Sequence, residues 1–248
     1  MSELAKRIGR VLRRESAGGM GFAAVRREPI RAMLLAARAR DAASAKAAIE
    51  AGADVVLIDG IDPADAGAIL AALPKGAAGV RVDRLDEATA AVLQAAGTDF
   101  VISPLATTAS AAVDTERMGQ VVAVTPDISD SALRSLAALG FDALFVEGEA
   151  SAPTLAAQLE LVRLASFSTL PLAINVEKTA SVGQLRVLRD SGAAVAVAPA
   201  DASAAELRRL IEALVAVPPP RRPARGGEIA LVPMTAARHD DDEIDEPE

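Results

Sequence analysis

One pattern is written four times in this chain, and it restricts the possible folds more than any other feature does. The segment from Met33 to Gly60 reads MLLAARARDAASAKAAIEAGADVVLIDG. AGVRVDRLDEATAAVLQAAGTDFVIS begins at Ala78, VVAVTPDISDSALRSLAALGFDALFVEG at Val121 and AINVEKTASVGQLRVLRDSGAAVAVAPA at Ala173. The copies superpose without a gap as far as Gly52, Gly97, Gly140 and Gly192. Each is an apolar run, a capping residue, an Ala/Leu-rich stretch, a glycine and a second apolar run, which reads as strand, helix, strand. Asp41, Asp86, Ser129 and Ser181 share the column where a side-chain oxygen can accept from the amides of a helix's first turn. The glycine column is where a helix end needs a positive φ. Asp54, Asp99 and Asp142 follow two residues later, at the turn into the next strand. Four such units, each followed by a further helix, predict eight parallel strands with right-handed crossovers. A fourfold two-strand repeat closes as an α/β (βα)8 TIM barrel.

The strands are expected at 32–37, 55–58, 79–82, 100–102, 121–124, 143–146, 172–176 and 194–198, with helices filling the intervals. At 248 residues the chain suits one barrel, since such barrels run to about 250 residues. The division is residues 1–31, a basic helix and linker; 32–217, the barrel; and 218–248, a Pro-rich linker and acidic tail. Glu3 to Glu15 reads as an amphipathic helix with Leu4, Ile8, Val11 and Leu12 on one face. Its apolar face is short, so plugging the barrel bottom or packing on a partner is a better reading than lying on an anionic membrane. PPPRRPARGG ends regular structure. The last stretch, EIALVPMTAARHDDDEIDEPE, is too acidic to order itself, although EIALVPM is an apolar island able to dock on the barrel or on another subunit.

Absent residue types narrow the chemistry. The chain has no Cys, Trp or Tyr, and its single histidine is His239, in the tail. Disulfides, thiolate metal sites, Ser-His-Asp triads, histidine-rich zinc sites and a histidine base inside the barrel are therefore excluded. The remaining candidates are Asp, Glu, Lys, Arg, Ser and Thr, with or without a hard cation. A net charge of −8 argues against nucleic acid as a partner. No signal peptide or bilayer-spanning run is read, so a cytoplasmic location is expected.

In a (βα)8 barrel, chemistry sits at the C-terminal strand ends and in the loops after them. In order these positions hold Arg38, Asp59, Arg81 with Asp83, Ser103, Thr125 with Asp127, Glu147 with Glu149, Asn175 with Glu177 and Lys178, and Asp201. Val80 and Val82 suit the helix-facing side of strand three, which turns Arg81 and Asp83 inward. Asp59 is in phase with Val55 and Leu57, and the repeat puts Glu147 at the equivalent place on strand six. On strand seven, polarity points Asn175 and Glu177 inward while the repeat column points Val176 and Lys178 inward, and both registers stay open. Two carboxylates and an arginine at one mouth suit an oxygen-ligated divalent cation and an anionic substrate. Asp59, Glu147 and Glu149 are thus the candidate ligands of Mg²⁺ or Mn²⁺, and Arg81, Asp83 and Lys178 the candidate catalytic residues. Arg81 would bind a carboxylate, and a Schiff-base variant would depend on Lys178. The loops after strands seven and eight, EKTASVGQL and APADASAAEL, offer only Gly183, so a phosphorylated substrate is disfavoured.

VVLIDGIDPADAGAIL, GVRVDRLDE and VLQAAGTDFVISPLATTASA, on strands two to four, resemble the metal-dependent 2-oxoacid aldolases of the 4-hydroxy-2-oxoheptanedioate aldolase type. The resemblance implies that Arg81 is the oxoacid-binding arginine. Ile61-Asp62 stand where that family's catalytic histidine is expected, and Thr125-Pro126-Asp127 where its strand-five glutamate ligand is expected. GFDALFVEGEAS carries Glu147 and Glu149 in place of the family's aspartate. Two functions follow as expectations. One is a small-molecule lyase or aldolase-like enzyme acting on a small carboxylate. The other is a catalytically silent barrel that assembles, as a homo-oligomer or with a protein partner, through its charged termini.

Overall fold

The caps and glycines of the repeat shape each quarter of the molecule as their columns require. The computed structural model describes residues 1–16, 31–73 and 78–219. The strands are β1 (Leu34–Ala39), β2 (Val55–Ile58), β3 (Ala78–Arg81), β4 (Phe100–Pro104), β5 (Gly119–Val124), β6 (Ala143–Val146), β7 (Leu172–Asn175) and β8 (Ala193–Ala198). All neighbours are parallel and β8 pairs with β1, which closes the barrel. The helices are α1 (Glu3–Ser16), α2 (Ala42–Ala51), α3 (Ala66–Leu70), α4 (Glu87–Ala95), α5 (Asp130–Leu136), α6 (Leu155–Ser168), α7 (Val182–Asp190) and α8 (Ala204–Ala216). None of the described helices is long and apolar enough to cross a membrane. Asp41, Asp86, Ser129 and Ser181 each accept from a first-turn amide of α2, α4, α5 and α7. Gly52, Gly97, Gly140 and Gly192 all have positive φ, between 72° and 100°, the region where a side chain would strain the backbone. The linker after α1, the Pro-rich segment beyond Pro219 and the acidic tail with its apolar island lie outside the described residues.

Helices do not fill every interval. Between β4 and β5 stand only two short 3₁₀ turns, Leu105–Thr107 and Ser110–Ala112. Hydroxyls compete with a helix there: Thr108 donates to the Pro104 carbonyl at 2.7 Å and Thr107 to the Asp83 carbonyl at 2.6 Å. Backbone bonds between Leu85 and both Thr107 and Ala109 complete a loop-to-loop bridge, an outcome that Ser and Thr side chains favour.

Two apolar layers fix which face each strand residue takes. Leu34, Ala36, Val55, Leu57, Phe100, Ile102, Val121, Ala123, Phe145, Ala173, Val195 and Val197 fill the barrel interior. Val56, Ile58, Val80, Val101, Val122, Leu144, Ile174 and their neighbours pack against the helices. Strand seven is thereby resolved: Ala173 is interior and Ile174 and Val176 face the helices, so Asn175 and Glu177 are in the inward phase. β5 behaves alike. In β1 and β3 the inward residues fall one column later in the repeat, so the strand-to-cap loops differ by one residue in phase between the two halves.

The barrel bottom is closed by α1. Leu4, Ile8 and Val11 are buried in the interior cluster. The Asp99 carboxylate accepts from the Glu3 and Leu4 amides at 2.7 and 3.0 Å, a cap that also meets the positive end of the helix dipole. Ser2 donates to Asp142 at 2.6 Å, and Arg7 donates to the Asp54 carbonyl. Asp54 also pairs with Arg31 at 2.6 Å. The aspartate column thus works at the end of the barrel opposite the mouth.

Candidate functional site

The mouth is built from residues in which the copies differ from one another. Arg38 is the penultimate residue of β1, Asp59 follows β2, Arg81 ends β3, Glu147 follows β6 and Asn175 ends β7. Each is in phase with the apolar interior residues beneath it, so five side chains converge on one opening. Arg38 and Arg81 both approach the same oxygen of Asp59, at 3.6 Å each, and Arg81 lies 3.4 Å from Glu147 Oε1. Their guanidinium carbons lie 6.0 and 5.6 Å from the centroid of the Phe145 ring, which floors the site.

The two arginines are held differently. Asn175 accepts from Arg38 at 2.8 Å while donating to the Gly148 carbonyl at 2.7 Å, which locks Arg38 in orientation. Burial lowers the Arg38 pKa; Asp59 opposes that shift and the like charge of Arg81 adds to it. An arginine nevertheless stays protonated. Its Nε is buried with no partner among the described residues. Arg81 has no such anchor, and its contacts are longer than the 2.7–2.9 Å or so of a tight guanidinium–carboxylate bond. It is in place but not saturated.

The sequence-predicted residues separate accordingly. Asp59, Arg81 and Glu147 meet. Glu149 and Asp83 are exposed in the loops above. Lys178 reaches the loop after β8, where it pairs with Asp201 at 2.5 Å. That hydrogen bond and charge raise the Lys178 pKa, which opposes the free amine a Schiff base needs. Among the described residues no three acidic or histidine side chains converge closely enough to hold a metal. Asp59 and Glu147 face Arg81 instead, so the set as placed does not fit Mg²⁺ or Mn²⁺. Arg38 and Asn175, which the strand-end reading left without a role, are central to the site. Phe145 went unnoticed, although it lies two residues before Glu147 on one strand face.

The helix ends after β7 and β8 are self-contained. Ser181 and Gln184 form a reciprocal capping box on α7, and Ser203 and Glu206 form one on α8. An anion there would have to displace these caps and face the Glu206 carboxylate.

No protein-family model matches the chain, and no curated protein is significantly similar to it. Solved structures do match. The tryptophan synthase of M. tuberculosis, in a ligand-free mutant form, has a TM-score of 0.64 at 18% identity, over 88% of this chain and 99% of that one. The phosphoribosyl anthranilate isomerase of Thermotoga maritima has a TM-score of 0.57 at 15% identity, over 73% of this chain and 98% of that one. At such identities the likeness is one of fold. It supports the (βα)8 barrel and lends nothing to the aldolase resemblance.

Proposed function

We infer that this barrel is a small-molecule enzyme whose mouth binds a carboxylate-bearing substrate through Arg81, with Asp59 or Glu147 as proton acceptor. The observation that carries this reading is the loosely held Arg81 between two carboxylates, above an aromatic floor and beside a locked second arginine. A substrate carboxylate can take the guanidinium in a bidentate geometry that neither Asp59 nor Glu147 has. With Arg81 turned to the substrate, either carboxylate has an oxygen placed to accept a proton from the bound molecule. That is the half-reaction a lyase without histidine requires. One similar structure, by its name, is of an enzyme acting on a phosphoribosyl compound; the filled caps on α7 and α8 argue against a phosphorylated substrate here. Calorimetry with a panel of small carboxylates tests the reading: binding should fall at least about tenfold in Arg81→Gln, since a charge-assisted hydrogen bond is lost. Equal affinity in the variant removes it. Mg²⁺ and Mn²⁺ are expected to give no heat with the unaltered protein.

Assembly has one observation in its favour, on a helix face and not at the charged termini. Leu155, Leu159 and Val162 form an exposed apolar row on α6, at the i, i+4, i+7 spacing of a helix face that contacts a partner. Light scattering separates the two readings. Self-association abolished by Leu159→Lys would favour assembly, and a monomer indifferent to that change would remove it.

A further inference from the structure

We propose that the mouth's ligand carries an ammonium group beside its carboxylate, as an α-amino acid does; this rests on the carboxylate-binding role given to Arg81 above. The charge inventory leads there. Arg38 and Arg81 are the cations of the mouth, and Lys178 is already matched by Asp201 at 2.5 Å. Against them, in the inward phase, stand Asp59, Glu147 and Glu177, while the exposed loop residues above are of both signs, Asp83 and Glu149 with Arg40 and Arg84. Carboxylates are in excess.

A plain anion that draws Arg81 away leaves Asp59 and Glu147 without their shared cation. Their side chains are only 20% and 31% exposed, so much of the gain at Arg81 is lost again as uncompensated negative charge. A ligand that brings its own cation avoids this. The geometry fits such a pair. Arg81 Nη2 and Glu147 Oε1 are 3.4 Å apart, so a donor and an acceptor stand side by side, as the carboxylate and ammonium do on one carbon of an amino acid. Glu147 Oε2 and Asp59 Oδ1 have no hydrogen-bond partner among the described residues and are free to accept from an ammonium. Arg38, fixed by Asn175, stays at Asp59 Oδ2, the oxygen it shares with Arg81, and leaves Oδ1 to the ligand. The locked arginine is a positioning residue, and the loose one meets the ligand.

Saturation-transfer NMR with the full-length protein provides the test. The probes are the common L-α-amino acids, 2-oxo acids of the same carbon skeletons, and primary amines lacking a carboxylate. The proposal expects at least one amino acid to bind, at least about tenfold more tightly than its 2-oxo counterpart, the discrimination one charge-assisted contact supplies. Glu147→Gln should erase that preference while leaving carboxylate binding, and Arg81→Gln should remove both; circular dichroism confirms that each variant is folded. A 2-oxo acid that binds as well as its amino acid, or an undiminished preference in Glu147→Gln, overturns the ammonium proposal and leaves the Arg81 reading standing. Binding by amines alone, or by none of the probes, overturns both.

Discussion

Single atoms decide how the two ends of the barrel differ. At the bottom, burial raises the Asp142 pKa above its ordinary 3.8; the Ser2 hydrogen bond opposes the shift and Asp99 adds to it. A carboxyl whose folded pKa is raised contributes most below its unfolded value and loses that contribution as pH rises through the folded one. Asp142→Asn keeps an oxygen for Ser2 without the buried charge. It should therefore be more stable than the parent at neutral pH, with an advantage that shrinks as pH is lowered toward 4, as denaturant melts across pH would show. Gly79 is a second such point. A Cβ there would stand 2.3 Å from the Phe100 ring, so Gly79→Ala should cost about 1–3 kcal/mol by overpacking, read from the same melts. The sequence hinted at this only through a glycine inside a strand.

Among elements, helix ends were the most legible part of the chain. The caps and glycines act locally, within one turn, so their chemistry can be read without knowing what packs around them. Their tertiary surroundings were not readable. Gly97 has open space where a Cβ would be, whereas at Gly192 the Cβ would lie 2.6 Å from that of Ala165. Gly97→Ala should cost about 1 kcal/mol from backbone strain alone, and Gly192→Ala distinctly more in parallel thermal melts. Strand phase was legible where apolar alternation was clean, as at Val80, Arg81 and Val82. It stayed open at β7 because Ala173 to Glu177 carries polarity and the repeat column in opposite senses. The missing helix after β4 was hidden for another reason: Thr107 bonds to the carbonyl of Asp83, on a segment that only the fold brings near.

Across the whole molecule, repetition and divergence occupy opposite ends. Asp54, Asp99 and Asp142 recur in the copies and hold α1 at the bottom, so Leu4→Ala should lower stability by about 2–5 kcal/mol without altering events at the mouth. Arg38, Asp59, Arg81, Glu147 and Asn175 do not recur as a set, and they meet at the top. The repeat made the barrel readable, and the strand-end rule brought all five mouth residues into view but gave roles only to Asp59, Arg81 and Glu147. Neither could show that Arg81 would face Asp59 and Glu147, because ion pairing across a barrel depends on stagger that no single strand encodes. The most direct test of the mouth as the working site is NMR of the arginine Nε–Hε resonances, assigned by single substitutions, during titration with the tightest-binding small carboxylate. The Arg81 signal, followed by that of Arg38, should shift saturably while those of Arg163 on α6, paired with Asp130, and Arg189 on α7, paired with Asp190, stay still; a titration that moves only these helix arginines, or none, contradicts the mouth as the site.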